Sequence, residues 1–217
     1  MEINLLSKYP RTKRDLKARS GEKTNKVRII ARKFGQDFFD GDRKYGYGGF
    51  NYDPRFWTGV VKDIIDRYNL NQNSKVLDVG CAKGFMLYDL SQHLPLNNLS
   101  GIDVSSYAIE NALPEVRDIV SIGDAKDLSQ FDNNEFDLVI SINTVHNLKL
   151  DECRKALQEI ERVGQNKFIT VDAWRTDEEK EAMLAWNLTA NTMMSVNDWE
   201  RFFRTSGYTG DYYWFMP

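Results

Sequence analysis

The chain has 217 residues, 41% of them hydrophobic and 28% charged, with a formal net charge of -3. That length supports one domain with a real core, and the two cysteines, Cys81 and Cys153, give neither a disulfide framework nor paired metal-ligand spacing. No apolar run is long enough to span a bilayer and no signal peptide is visible, so a cytoplasmic setting is expected.

The charge is uneven. Residues 1–33 carry eleven Lys or Arg against three acids, so they are expected to form a basic, partly flexible arm, with 34–217 as a single domain. Such an arm can meet nucleic acid or an anionic surface, but a solvated tail is the commoner outcome. Next comes "DGDRKYGYGGFNYDPRFW" (40–57), too polar for a core strand and too Gly-rich for a helix.

Asp53 and Pro54 then read as N-cap and first-turn proline. Trp57, Val61, Ile64 and Tyr68 fall on one helical face. "SKVLDVG" (74–80) is a short buried-strand pattern, and "FMLYDLSQHL" (85–94) a helix closed by Pro95. Strand signals follow at 99–105, 118–125, 136–143 and 167–174, with helices at "SYAIENAL" and 151–163 between them. Asp177 to about Leu188 is expected to be helical. Ser195 and Asp198 resemble a capping box before "WERFFRTSG", with Gly207 as C-cap, and "DYYWFMP" (211–217) closes as a strand. This alternation predicts an α/β doubly wound sheet, mostly parallel, with helices on both faces. Six strands are expected, with a seventh left open.

Ligands of such sheets sit outside the carboxyl ends of the strands, and the informative residues fall there. "DVGCAKG" places Asp78, Gly80, Cys81, Ala82, Lys83 and Gly84 after the first strand. The glycines allow a tight turn and close backbone approach to a ligand, but their spacing is not the Gly-x-Gly-x-x-Gly of a dinucleotide site. The second strand ends at Asp103, where a carboxylate can accept from both hydroxyls of a ribose. The third ends in Gly123, Asp124 and Ala125, where an acid can accept from an exocyclic amine. Each acid alone could be an ordinary cap; three at successive strand ends point to one ligand.

Together these motifs resemble the class I S-adenosylmethionine-dependent methyltransferases: "VLDVGCAKG", "GIDVS", "IGDAKDL" and "FDLVISINTVHNL" look like their first four, over about residues 54–217. The resemblance implies a Rossmann-like fold and S-adenosyl-L-methionine as cofactor. It would place Gly80, Cys81 and Gly84 around the methionine portion, Asp103 on the ribose, and Asp124 and Ala125 at the adenine. Asp78 would support the loop or reach the amino group through water, and Val104 and Asn143 complete the cofactor set. Ala82, also in the expected cofactor set, stands where the family usually has a third glycine.

A sulfonium methyl is attacked in line by a lone pair, and a hydroxyl nucleophile also needs a proton acceptor. His146, one of two histidines, lies where the family places residues facing the methyl, and is the candidate base. The alternative for it is a histidine that hydrogen-bonds the loop. Asn143 and Asn147 would orient it or a substrate hydroxyl. Arg175 offers a planar fork for an anionic acceptor, or else a surface ion pair with Asp177 or Glu178. Asp172 raises a magnesium site, but only one convincing acid lies on that side, so no metal is expected. No Asn-Pro-Pro-Tyr or Asp-Pro-Pro-Tyr run follows the fourth strand, which argues against a nucleobase amine as target.

The stretch 40–57 then reads as a cover over the active-site cleft. Its glycines lie flat against a ligand, Tyr45, Tyr47 and Tyr52 supply hydroxyls and ring faces, and Arg43 can meet an anion. With "GCAKGF", "NTVHNL" and "WNLT" (186–189), it is similar to bacterial methyltransferases of sugar and surface-polysaccharide pathways. The expected acceptor is a small molecule, a sugar, nucleotide sugar or polyol methylated on oxygen. Nucleic acid as partner is disfavoured by the acidic body, and a homodimer is compatible with this reading. A nucleic-acid-directed enzyme and a non-catalytic cofactor-binding module are the alternatives.

Overall fold

Every residue of Val76–Val79 is buried, as a parallel strand covered on both faces requires. In the computed structural model, which describes residues 1–10 and 23–216, this run is β1, at the heart of a seven-stranded sheet. The other strands are β2 (Leu99–Asp103), β3 (Val120–Ile122), β4 (Phe136–Ile142), β5 (Gly164–Trp174), β6 (Met194–Ser195) and β7 (Asp211–Phe215). Their order is β3-β2-β1-β4-β5-β6, with β7 also on β5. All the ladders are parallel.

The seventh strand left open by the sequence is therefore present. It arises because β5 outruns β7: Phe168–Asp172 pair with β7, and the tip Ala173–Trp174 pairs with β6. Ser195 serves twice, closing β6 and capping the next helix by accepting from the Asp198 amide.

The helices are α1 (Asn25–Ala31), α2 (Gln36–Phe39), α3 (Pro54–Tyr68), α4 (Phe85–Ser91), α5 (Ser106–Glu110), α6 (Leu150–Val163), α7 (Asp177–Trp186) and α8 (Val196–Ser206). As the sequence indicated, the Asp53 carboxylate accepts from the Arg55 amide with Pro54 in the first turn of α3. α8 ends at Gly207, in the left-handed region at φ 77°. α4 stops three residues before the expected Leu94, where Gln92, His93 and Leu94 turn back onto Asp89 and Leu90.

One sheet face packs against α6 and α8 through Leu157, Ile160, Trp199 and Phe203. The other packs against α3 and α4 through Val60, Ile64, Leu87 and Leu90, joined by Leu5 and Leu6. The start of the basic arm is thus docked, and Glu2 bridges to Tyr212 of β7. Within the same arm, α1 is capped by the Thr24 hydroxyl. Arg28 and Arg32 of that helix and its C-cap donate to the carbonyls of Leu184, Asn187, Thr189 and Ala190. The basic run 11–22 lies outside the described residues. Among the described residues no helix is long and apolar enough to cross a membrane.

Candidate active site

The loop leaving β1 is shaped by its neighbours. The amides of Gly80 and Cys81 both donate to the Ile102 carbonyl, so the loop folds over the end of β2. Gly80 has φ 87°, and a Cβ there would collide with the Thr144 side chain. Only glycine meets both demands. Ala82 also lies in the left-handed region, at φ 50°, where a Cβ costs roughly 1–2 kcal/mol. This explains why a glycine would be usual there.

Asp103 fastens the loop, accepting from the Ala82 amide at 2.8 Å and from the Ser105 amide at 2.8 Å. Burial raises its pKa against the pull of those two amides. Asp78, 3% exposed, is pushed up to about 8, first by burial and then by the charge of Asp103. With Asp78 buried and Asp103 half-buried beside it, their mutual repulsion disfavours the doubly ionised pair, and a cation would favour it. Beside them Val104 is 58% exposed at the tip of β2, and Ile122 is 61% exposed at the tip of β3. Acids with no ion pair among the described residues, next to uncovered apolar side chains, suit a ligand that is cationic at one end and flat and apolar at the other. S-adenosylmethionine, with its ammonium, sulfonium and adenine groups, fits that donor set.

Beyond β3, Ala125 is buried and Asp124 pairs with Lys126 at 3.2 Å. Cys81 is buried against Gly101, and burial holds its thiol well above the ordinary value.

At the tip of β4, Asn143 is a further left-handed residue, at φ 53°. Its amide N–H reaches the carbonyl and hydroxyl of Thr170, both at 3.0 Å. The Thr170 hydroxyl donates to Asn143 Oδ1 at 2.8 Å, which fixes the direction of the side-chain amide. Asn147 follows in a 3-10 turn, Val145–Asn147. Its Nδ2 donates to the Asn143 carbonyl at 3.2 Å, while its buried Oδ1 has no hydrogen-bond partner among the described residues.

His146 lies in the same turn but is 3% exposed. Its Nδ1 accepts from the Asp172 amide at 3.0 Å, which assigns the proton to Nε2, 3.7 Å from Asp172 Oδ2. Burial lowers its pKa, opposed by the Asp172 charge. The Asp172 carboxylate also accepts from the Asn187 side chain, and the His146 carbonyl accepts from the Asn191 and Thr192 amides. These contacts make His146 an interior tie between the β4 loop and segment 187–192. For its Nδ1 to take a proton from an acceptor, the ring must first leave Asp172. Among the described residues no group of three or more His, Cys, Asp or Glu is placed to hold a metal.

The Gly/Tyr-rich stretch sits at this same end of the sheet. The Ser105 hydroxyl, one turn past Asp103, donates to the Phe34 carbonyl at 2.5 Å. Phe50 stacks on Phe85, at the start of α4, with centroids 4.7 Å apart. Tyr52 packs edge-on against Phe85 and Tyr88, and its hydroxyl is pushed up to about 12 by burial and by Asp89. Tyr47 packs on Phe39 and Phe50, and Tyr45 carries Lys44 over its ring at 4.9 Å.

The two candidate anion forks are already engaged. Arg43 Nη1 donates to the carbonyls of Gly46 and Tyr47 at 2.6 and 2.7 Å. Arg175 pairs with Glu2 at 2.9 Å rather than with Asp177 or Glu178. The structure thus gathers Asp78, the 80–84 loop, Asp103, Val104, Asn143 and the 40–52 stretch at adjoining strand ends. Sequence reasoning missed Thr170, Asn187 and the pairing of Lys83 with Asp40, whose partners are far away in the chain.

Residues 77–167 match a protein family described as a methyltransferase domain. No curated protein matches the chain by sequence. Among solved structures, the YcgJ protein of Bacillus subtilis is 18% identical with a TM-score of 0.55, covering 67% of this chain and 66% of its own. An S-adenosylmethionine-dependent methyltransferase of Archaeoglobus fulgidus is 17% identical, with a TM-score of 0.52 and 70% of each chain covered. A protein of Anabaena variabilis, described as a proposed methyltransferase from an antibiotic biosynthesis pathway, is 22% identical with a TM-score of 0.50, covering 68% of this chain and 60% of its own. The shared part spans about two thirds of such relatives, and at these identities the likeness is one of fold. Residues 77–167 thus match a methyltransferase domain, set in a Rossmann-like parallel sheet.

Proposed function

We propose that the protein transfers the methyl group of S-adenosylmethionine to an oxygen of a small molecule, with a sugar, nucleotide sugar or polyol as the acceptor class. The cofactor half rests on the Asp78–Asp103 pair beside exposed Val104. The acceptor half rests on the 40–52 stretch, whose tyrosines and glycines lie at the same strand ends. Support for a small acceptor also comes from the Anabaena relative's description.

Bound, the cofactor would supply a sulfonium methyl, which an acceptor lone pair attacks in line while the S–CH3 bond breaks and neutral S-adenosylhomocysteine leaves. The chain's part is mainly to align the two reactants, which is worth about 7–11 kcal/mol in favourable cases. Asp103 would accept from the ribose hydroxyls while holding the Ala82 amide, and a cation near Asp78 would favour its ionised form. Asn143, locked by Thr170, would present its amide to the cofactor's methionine end or the acceptor, and Asn147 Oδ1 would accept from an acceptor hydroxyl. We assign proton acceptance to His146, coupled to release of its ring from the Asp172 amide. Arg43 and Arg175 would serve an anionic acceptor only after giving up their present partners.

The test is incubation with methyl-labelled S-adenosylmethionine and a panel of sugars, nucleotide sugars, polyols, RNA and DNA. Label on a hydroxylated small molecule supports the reading. Transfer only to nucleic acid, or tight cofactor binding with no transfer to any of the panel, overturns it.

A further inference from the structure

Lys83 occupies the cofactor loop, between Ala82 and Gly84, yet its side chain is 8% exposed. It turns away from the loop toward the Gly/Tyr-rich stretch. Its Nζ donates to Asp40 Oδ2 at 2.7 Å and to the Phe50 carbonyl at 3.0 Å. The Tyr107 hydroxyl, on α5, donates to the same Asp40 oxygen at 2.7 Å, and the Phe50 amide donates to Asp40 Oδ1 at 2.9 Å. Around this knot Phe39 stacks on Tyr107 and Phe50 on Phe85.

One carboxylate therefore joins three pieces of chain: the loop after β1, the helix after β2, and the stretch lying over both. Burial alone would raise the pKa of Asp40, but hydrogen bonds from Lys83, the Phe50 amide and Tyr107 hold it below the ordinary carboxylate value. Lys83 is buried while Asp40 is a quarter exposed, so the pair adds little net stability, but removing Asp40 would leave a buried ammonium uncompensated. Its effect is directional. It fixes which part of the stretch meets the loop.

We propose that Lys83 and Asp40 form a latch that closes residues 34–53 over the cofactor, with Lys83 as a positioning residue that sets how long the cofactor stays bound. The backbone of Lys83 adjoins Ala82, whose amide is held by Asp103. Lifting Asp40 from Lys83 thus frees the cover and loosens the loop in one step. This rests on the cofactor reading above.

The experiment measures dissociation of S-adenosylhomocysteine by rapid displacement from wild type, Lys83→Met, Asp40→Asn, the double variant and Lys83→Arg. Each of the first two should speed dissociation about tenfold or more, the double variant no further than the faster single one, and Lys83→Arg much less. Amide exchange over 38–50 should slow on adding S-adenosylhomocysteine to wild type but not to Lys83→Met. Dissociation within twofold of wild type in Lys83→Met, or multiplying effects in the double variant, overturns the latch. If Lys83→Met does not fold, Tyr107→Phe removes one arm alone and should still speed release about threefold; an unchanged rate overturns the proposal. Failure of wild type to bind S-adenosylhomocysteine would instead refute the cofactor assignment.

Discussion

Replacing Asp78 by Asn removes the carboxyl whose ionisation the free protein opposes. In the unfolded chain this group titrates near its ordinary value of about 3.9; in the fold it is pushed up to about 8 by burial and by Asp103. A folded pKa above the unfolded one means the folded state binds the proton more tightly. That stabilisation is complete below about pH 4 and is lost as pH rises through about 8. Between those limits one proton is worth at most about 1.4 kcal/mol per pH unit. From pH 5 to 7 the loss is then at most about 3 kcal/mol, less where Asp103 shares the proton. With a urea slope of about 1–3 kcal/mol per molar, the wild-type midpoint should fall by at most about 1–3 M over that interval. His146 works the other way: burial lowers its pKa, so its contribution is lost as pH falls below about 6.5. The informative quantity is therefore the difference between wild type and Asp78→Asn, which should widen steadily with acidity. Urea midpoints that run parallel in the two proteins from pH 5 to 8 would refute this account of the site. Saturating S-adenosylmethionine should flatten the wild-type profile, because a nearby cation favours ionised Asp78.

Asp103→Ala should weaken S-adenosylhomocysteine binding about tenfold or more relative to Asp42→Ala, since a hydrogen bond to a charged group is worth about 1.5–3 kcal/mol; equal affinities by calorimetry count against the ribose role. Ala82→Gly should relieve the left-handed strain of about 1–2 kcal/mol while adding unfolded-state entropy of about 0.4–1 kcal/mol. Its urea midpoint should stay level or rise, and S-adenosylhomocysteine should bind no more weakly; a clear loss of either would show that the methyl group is needed. Cys81 and Cys153 are buried, the latter with its thiol pushed up to about 12, so a thiol reagent at pH 8 should label neither before unfolding. Rapid labelling of the native protein contradicts that burial.

Much of the scaffold was legible because it is local. The Asp53–Pro54 start of α3, the short apolar strands and the Gly207 stop of α8 each announce themselves within a few residues. The acids at the strand ends were visible too, since parallel topology brings successive carboxyl ends together. What escaped depends on pairings between distant segments. α1 was hidden within a basic run, although Thr24 caps it and its C-cap Arg32, like Arg28, faces the carbonyls of 184–190. The depth of His146 is set by Asp172 and by segment 187–192, which no spacing near residue 146 reveals. The Lys83–Asp40 pair likewise has no local signature, because a lysine between loop glycines usually points to solvent.

The all-parallel sheet also bears on how the chain reaches this state. No strand pairs with its neighbour through a hairpin, so no quick two-strand nucleus is available. β1 waits for β4 before both its edges are filled, and β5 waits for β7, which lies about forty residues further along the chain. Until then Phe168, Ile169 and Val171, all fully buried at the end, leave the ribosome beside an open edge. Such an edge recruits other nascent chains. Soluble yield should accordingly follow the pace of translation and the growth temperature more closely than it follows the stability of the finished protein.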